Sequence, residues 1–426
     1  MINLKSIKAV GQAKFSKQFI KPLYESYCFS NIPQTIKNIL TAEDKTALPK
    51  DVLENLPQTY DKVVLFLVDG FGWKYFERYA NKNSFLKYAI EKGTVSQLTA
   101  QYPSTTAAEV TTIHTGLPVG KSGVYEWFYY EPKADAVIAP LLFSFAGEKE
   151  RENLVLAGID SRDIFPKQTI YEDLRKQGVS SYVFQHKEYV NTSYNNIMLR
   201  GAEVVPYISL SEALINLSDK LLNEENRSYY FMYFDGIDKI AHRYGPESKQ
   251  FEAEIDAFLY NMEKFFLKEL QGKLHKTLFV MTADHGYASI DPKTTVYLNK
   301  DFPQIKGWIK KNKKGNLIVP AGSCRNMVLH IKESSLNSAH TFLSDALVGK
   351  AEIYKIEDLA NQHFFCLEKP SDVFFEKIGN LAILPYNNES VWWDENGDFE
   401  IKYYGHHGGM TPEEMKTMFI CLPFSS

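Results

Sequence analysis

Cysteine is scarce in this 426-residue chain, and the four that occur, Cys28, Cys324, Cys366 and Cys421, are scattered with no C-x-x-C spacing. That excludes a disulfide framework and a thiolate zinc site. Positive charge is also short: the net charge is -4, and no basic run exceeds "KKNKK" at Lys310–Lys314. A protein that binds the backbone of a nucleic acid polymer carries more, so such a partner is not expected, while small anionic ligands are. Long apolar runs are missing. The cleanest, "VVLFLV" at Val63–Val68, is far too short to span a bilayer, and the N-terminus lacks the apolar core of a signal peptide. The expectation is a cytoplasmic protein without a membrane span. No repeat or low-complexity tract occurs, which sets solenoids aside.

What is present is an ordinary globular composition, 44% hydrophobic and 23% charged, in a chain long enough for one large domain carrying an insertion. Short β-branched and aromatic runs alternate with amphipathic stretches, the pattern of parallel strands joined by crossover helices. "KVVLFLVDG" reads as a buried strand, and "WKYFERYANKNSFLKYAIEKG" as one helix closed by Gly93. Further strands are expected at "SSYVFQH", "RSYYFMYF", "KTLFVMT" and "TMFICLP". Residues 1–58 read as an N-terminal arm, 59–293 and 376–426 as an α/β core, and 294–375 as an inserted subdomain with its own strands and helix. The chain is expected to rejoin the main sheet at "GNLAILP".

Three of these strands end in acids: Asp69 in "LVDGFG", Asp235 or Asp238 in "YFDGIDKIAH", and Asp284 in "TADHGY". In an open α/β sheet the carboxyl ends of the strands share one crevice, so acids far apart in sequence converge there. Alone, each Asp-Gly is a turn. Histidines alter that balance. Asp238 and His242 are four apart on one helix face, Asp284 and His285 are adjacent, and His406 and His407 lie in a glycine-flanked loop. Carboxylate oxygen with imidazole nitrogen is a donor set for zinc or a similar divalent ion, and two such sets imply two ions. His114 lies two turns beyond Thr106 and reads as a hydrogen-bonded structural residue.

The segment "QYPSTTAAEVTTIHTG", Gln101–Gly116, crowds hydroxyls at a helix entrance. Ser104 or Thr105 suits a helix cap. Beside two metals, one hydroxyl gains a second role, because coordination stabilises its alkoxide and makes it a nucleophile. The aromatic run "YEWFYYEP", with Tyr125, Trp127 and Phe128, suits either core packing or stacking on a planar ligand.

Taken together, "VVLFLVDG", "YPSTTAAEVTTIHTGLPVGKSGVYEW", "YFDGIDKIAHRYGP", "MTADHGY" and "GHHGGMTPEEM" resemble the alkaline phosphatase superfamily, and within it the type I phosphodiesterase/nucleotide pyrophosphatase family. The resemblance implies an alkaline-phosphatase-like α/β fold, with a mostly parallel sheet, helices on both faces and a smaller inserted α+β subdomain. It implies a pair of zinc ions, with manganese as the alternative, and a small phosphate-ester or nucleotide substrate. The family nucleophile, three places after the proline, falls on Thr106. The first metal set falls on Asp69, Thr106, Asp284 and His285, and the second on Asp238, His242 and His407. The family's "PD" is "ID" here, which leaves Asp235 as a nearby decoy. Glu109 replaces an asparagine that helps hold the phosphate in nucleotide pyrophosphatases, and with Phe71 and Tyr125 it is the expected substrate contact. The implied activity is hydrolysis of diesters or nucleotide pyrophosphates through a phosphothreonine. A monoesterase, phosphomutase, phosphonate hydrolase or silent binding module are the alternatives.

Overall fold

In the computed structural model, which describes residues 1–424, the elements that position the site run in order: β1 (Lys62–Val68), α1 (Trp73–Ala80), α2 (Ser84–Lys92), β2 (Thr94–Thr99), α3 (Thr106–Thr115), β3 (Ser180–His186), β4 (Glu203–Tyr207), β5 (Ser228–Phe234), α4 (Gly236–Tyr244), β6 (Thr277–Thr282) and β7 (Lys416–Phe424). The last two residues of the expected 376–426 segment lie outside the described residues. The strands form one sheet in the order β2-β7-β6-β1-β5-β3-β4. Pairing is parallel from β6 through β4, and β7 runs antiparallel to both of its neighbours.

The unbroken apolar run of β1 follows from its central place in the sheet. Side chains alternate between faces with period two. Val63, Leu65 and Leu67 enter one core with Val183, Phe231, Val280 and Phe419, while Val64, Phe66 and Val68 enter another with Phe184, Met232, Met281 and Ile420. A strand covered on both faces has no polar side to show.

Three expectations need correction. Residues 73–93 form two helices, because Asn83 accepts hydrogen bonds from Phe85 N and Leu86 N and so starts a new helix. The 1–58 segment is not a separate arm. Its Ile32, Ile36, Ile39 and Leu40 are buried in the first core, and Ile2 and Cys28 bridge to Val95 and Thr99 of β2. "GNLAILP" does not rejoin the main sheet either. Leu381–Pro385 pairs between Asn326–Leu329 and Ala351–Lys355 in a four-stranded antiparallel sheet, and the separate core beneath it extends to Trp393. The inserted subdomain therefore continues past residue 375, since the apolar side chains of 381–385 find partners there.

Candidate active site

The strand order brings the acids together. Strands β6, β1 and β5 are neighbours, and Asp284, Asp69 and Asp238 follow them at their carboxyl ends. Asp69 comes directly after β1, where Gly70 adopts φ +73 and a Cβ would stand 1.7 Å from the Tyr287 hydroxyl; only glycine fits. Gly70 N and His285 N both donate to Asp284 Oδ1 at 3.0 Å. Tyr233 donates to Asp69, and Tyr287 donates to Asp238 Oδ1 at 2.8 Å. These two tyrosines were not anticipated, although each lies within a motif already singled out, "YFDG" and "DHGY".

The three histidines share one arrangement. Nδ1 of His242 faces Gly405 O at 2.7 Å, Nδ1 of His285 faces Gly286 O at 3.2 Å, and Nδ1 of His407 faces Ser104 O at 3.1 Å. A carbonyl only accepts, so each ring carries its proton on Nδ1 and offers Nε2 as a lone pair. Each Nε2 faces carboxylates: His285 lies 3.4 Å from Asp69 and 3.3 Å from Asp284, His242 lies 3.4 Å from Asp238, and His407 lies 3.9 Å from Asp238. The His285 and His407 rings stack at 3.5 Å. The His407 loop is braced from behind by Glu414, which accepts from Gly409 N at 3.1 Å and pairs with Arg325 of the inserted subdomain at 2.9 Å, both side chains being fully buried.

This donor set fits a divalent cation. Among the described residues Asp69 Oδ1 and Asp284 Oδ2 are buried with no hydrogen-bond partner, an arrangement that a bound cation would satisfy. Burial, then Asp238, then Asp284 push the Asp69 pKa well above its ordinary value. Two groups of ligand atoms are close enough to share an ion: Asp69, Asp284 and His285; and Asp238, His285 and His407.

The crowded hydroxyls divide cleanly. Ser104 donates to Gly409 O, Thr105 to Tyr125 O, Thr111 to Ala107 O, Thr112 to Leu117 O and Thr115 to Thr111 O. Thr105 also caps α3 through Ala108 N. Each of these therefore has a backbone role. Thr106 alone turns its Oγ1 to the acidic cluster, 3.5 Å from Asp69 Oδ2 and 3.2 Å from His285 Nε2.

A cavity of 270 Å³ opens beside Thr106, Asp69 and Asp238. Trp127, 41% exposed, stands at its mouth with Arg151 and Lys239. Asp235 also lines it, accepting from Tyr189 at 2.6 Å and pairing with Lys239 at 2.9 Å, so it faces the cavity and not the ligand cluster. The three expected substrate contacts are corrected. Glu109 is fully buried, with its oxygens accepting from Gln101 N at 2.6 Å and Gln101 Nε2 at 2.7 Å. Phe71 is fully buried against Phe258, and Tyr125 is fully buried and stacked on Tyr129 at 5.3 Å. None of the three lines the cavity. Phe128 stacks on Trp392. His114, held by Tyr171 at 2.8 Å, has its pKa pushed down to about 3 by burial.

The profile of the type I phosphodiesterase / nucleotide pyrophosphatase family matches residues 63–409. Human ectonucleotide pyrophosphatase/phosphodiesterase family member 1 is 25% identical over 250 residues, 57% of this chain and 25% of that protein. The chain thus spans about a quarter of the length of that curated relative. Murine ectonucleotide pyrophosphatase / phosphodiesterase 5 superposes with a TM-score of 0.63 at 15% identity, covering 85% of this chain and 88% of that one. The same murine protein has also been solved as an inactive Thr-to-Ala variant in complex with AMP. Phosphonoacetate hydrolase from Sinorhizobium meliloti 1021, in complex with phosphonoacetate, gives a TM-score of 0.59 at 16% identity over 84% of this chain and 89% of that one. At these identities the solved structures establish a shared fold. Among the described residues no helix is long and apolar enough to cross a membrane.

Proposed function

The chain belongs to the type I phosphodiesterase/nucleotide pyrophosphatase family, and from that membership we propose that it is a two-metal hydrolase of phosphodiesters or nucleotide pyrophosphates with Thr106 as its nucleophile. The observation that carries the proposal is the Thr106 hydroxyl, unbound to backbone and aimed at Asp69 and His285. Asp69, Asp284 and His285 would hold one ion and Asp238, His242 and His407 the other, with zinc or manganese suiting the donors. Bound there, the ions would supply charge neutralisation and a lowered hydroxyl pKa.

Thr106 Oγ loses its proton to solvent and forms the new bond to phosphorus as the bond to the leaving alkoxide breaks. The leaving oxygen takes up a proton. Water then adds to the phosphothreonine, the Oγ–phosphorus bond breaks, and Oγ regains a proton, so one diester and one water yield a monoester and an alcohol. Thr105 fixes Thr106 at the first turn of α3, where free backbone N–H groups point at an anion. Tyr233 and Tyr287 orient Asp69 and Asp238. The cavity beside Thr106 supports a diester over a monoester, since a second ester arm needs somewhere to lie. The Thr-to-Ala inactivation of the murine structural relative agrees with this assignment.

The test is a panel of bis(p-nitrophenyl) phosphate, p-nitrophenyl phosphate and phosphonoacetate with zinc or manganese, alongside elemental analysis. Two ions per chain and higher kcat/KM on the diester are expected. A folded protein that takes up no ion, or that prefers the monoester or the phosphonate, would overturn the reading.

A further inference from the structure

The inserted subdomain reaches toward the acids and histidines through one hairpin. Gly322–Ser323 pairs antiparallel with Asn326–Leu329, so Cys324 and Arg325 form its two-residue tip, and Arg325 is completely buried. A guanidinium taken out of water persists only where its charge and its donors are met. Here Nε donates to Glu414 Oε1 and Nη2 to Glu414 Oε2, each at 2.9 Å, while Nη1 donates to Tyr386 O at 2.8 Å and to Glu389 O. The planar fork matches both carboxylate oxygens at once, which an ammonium does not.

Glu414 passes this hold on in two ways. Its carboxylate accepts from Gly409 N at 3.1 Å and from the Thr411 hydroxyl at 2.7 Å, and a Cβ on Gly409 would stand 2.6 Å from Glu414 Oε2, so the loop lies directly against it. Gly409 is two residues past His407. Its carbonyl accepts from the Ser104 hydroxyl at 2.8 Å, and the Ser104 carbonyl in turn faces His407 Nδ1 at 3.1 Å. Separately, the Glu414 backbone carbonyl accepts from Gly286 N at 2.9 Å, beside His285. That second contact needs no side chain. The first depends on Arg325, which among the described residues is the cation paired with Glu414. Without it the Glu414 carboxylate is a fully buried anion, which relaxes by taking up a proton or drawing in water, and either one competes with Gly409 N for its oxygens.

We propose that Arg325 is a positioning residue for the second ion: through the Glu414 carboxylate it fixes the loop that carries His407, so the inserted subdomain takes part in building the site. His285 is held through the Glu414 backbone and keeps its place when the ion pair is lost. The inference rests on the two-metal reading above.

The experiment titrates zinc into the metal-free full chain by calorimetry, with His407→Ala identifying which binding event belongs to the second ion. Arg325→Met is expected to weaken that event by about 10- to 100-fold, the usual cost of losing a partner behind a metal ligand, and to leave the other event within about threefold. Arg325→Lys keeps the charge without the fork, is expected to fall between the two, and decides the matter should Arg325→Met misfold. Lys377→Met is the control. Lys377 also forms a buried ion pair, with Glu131 at 3.0 Å, but it otherwise meets Ile164 O and the Tyr129 ring, so both events should match wild type even if the melting temperature falls. A folded Arg325 variant that leaves the second event unmoved, or that weakens both events alike, overturns the inference, as does a Lys377→Met protein that loses the second ion to the same degree. Failure of the parent reading looks different: wild type then takes up no zinc at all.

Discussion

Replacing Asp69 by Asn should change the sign of its effect on stability with the presence of a divalent ion. Without an ion, Asp69 is a buried carboxylate crowded by Asp238 and Asp284, with Oδ1 unpaired and its pKa pushed well above the ordinary range. Asparagine removes that charge and can still accept from Tyr233. In chelator the variant should therefore melt above wild type. Its advantage should grow with pH, because an acid whose folded pKa is raised makes the folded state lose stability as pH climbs from about 4 toward that folded value. With zinc the order should invert. Wild type gains about 2.7 kcal/mol for each ion present at a hundred times its Kd. An unfolding entropy of roughly 2.1 cal/mol/K per residue, applied to 426 residues, is about 0.9 kcal/mol/K, so each ion raises Tm by about 3 °C. Thermal melts of both proteins in chelator and across a zinc titration, at several pH values, measure every term. Zinc that leaves the wild-type Tm unmoved, or a variant that melts below wild type in chelator, would refute the cation argument.

Thr106→Ala should abolish the chemical step, with a loss on the order of 10⁴-fold in kcat, and leave the melt unchanged, while Thr105→Ala should cost about 1 kcal/mol of stability through the lost cap; comparable activity in the two variants would remove Thr106 from its role. Glu109→Leu should destabilise by about 1–3 kcal/mol, because Gln101 N and Nε2 lose their acceptors, and should leave the diester-to-monoester ratio unmoved; a shifted ratio in steady-state kinetics would return Glu109 to the phosphate. Glu126, buried and pushed up to about 8 by burial, should make stability fall by up to about 1.4 kcal/mol per pH unit between an ordinary glutamate value near 4.3 and that raised value. Denaturant midpoints should show the slope, and Glu126→Gln should flatten it.

The cluster of acids and histidines was legible because its parts obey local rules. An acid after a buried strand, a histidine four residues along a helix, and a glycine where the backbone turns sharply are each visible in one dimension. The adjacency of β6, β1 and β5 was not, since strand order depends on which crossover helix packs on which face, and the alternating apolar residues of β1 suit either face equally. The break between α1 and α2 was hidden for a different reason. Amphipathic periodicity continues across Asn83, and only the side-chain hydrogen bonds to Phe85 N and Leu86 N reveal a new cap.

The lining of the cavity was the least legible part, and Glu109 shows why. Proximity in sequence to a nucleophile is not proximity in space. On α3 the residues that share the face of Thr106 toward the cavity are Val110 and His114, while Glu109 turns back onto Gln101. Tyr125 was drawn from an aromatic run in which Trp127, two residues on, is the one that reaches the cavity mouth.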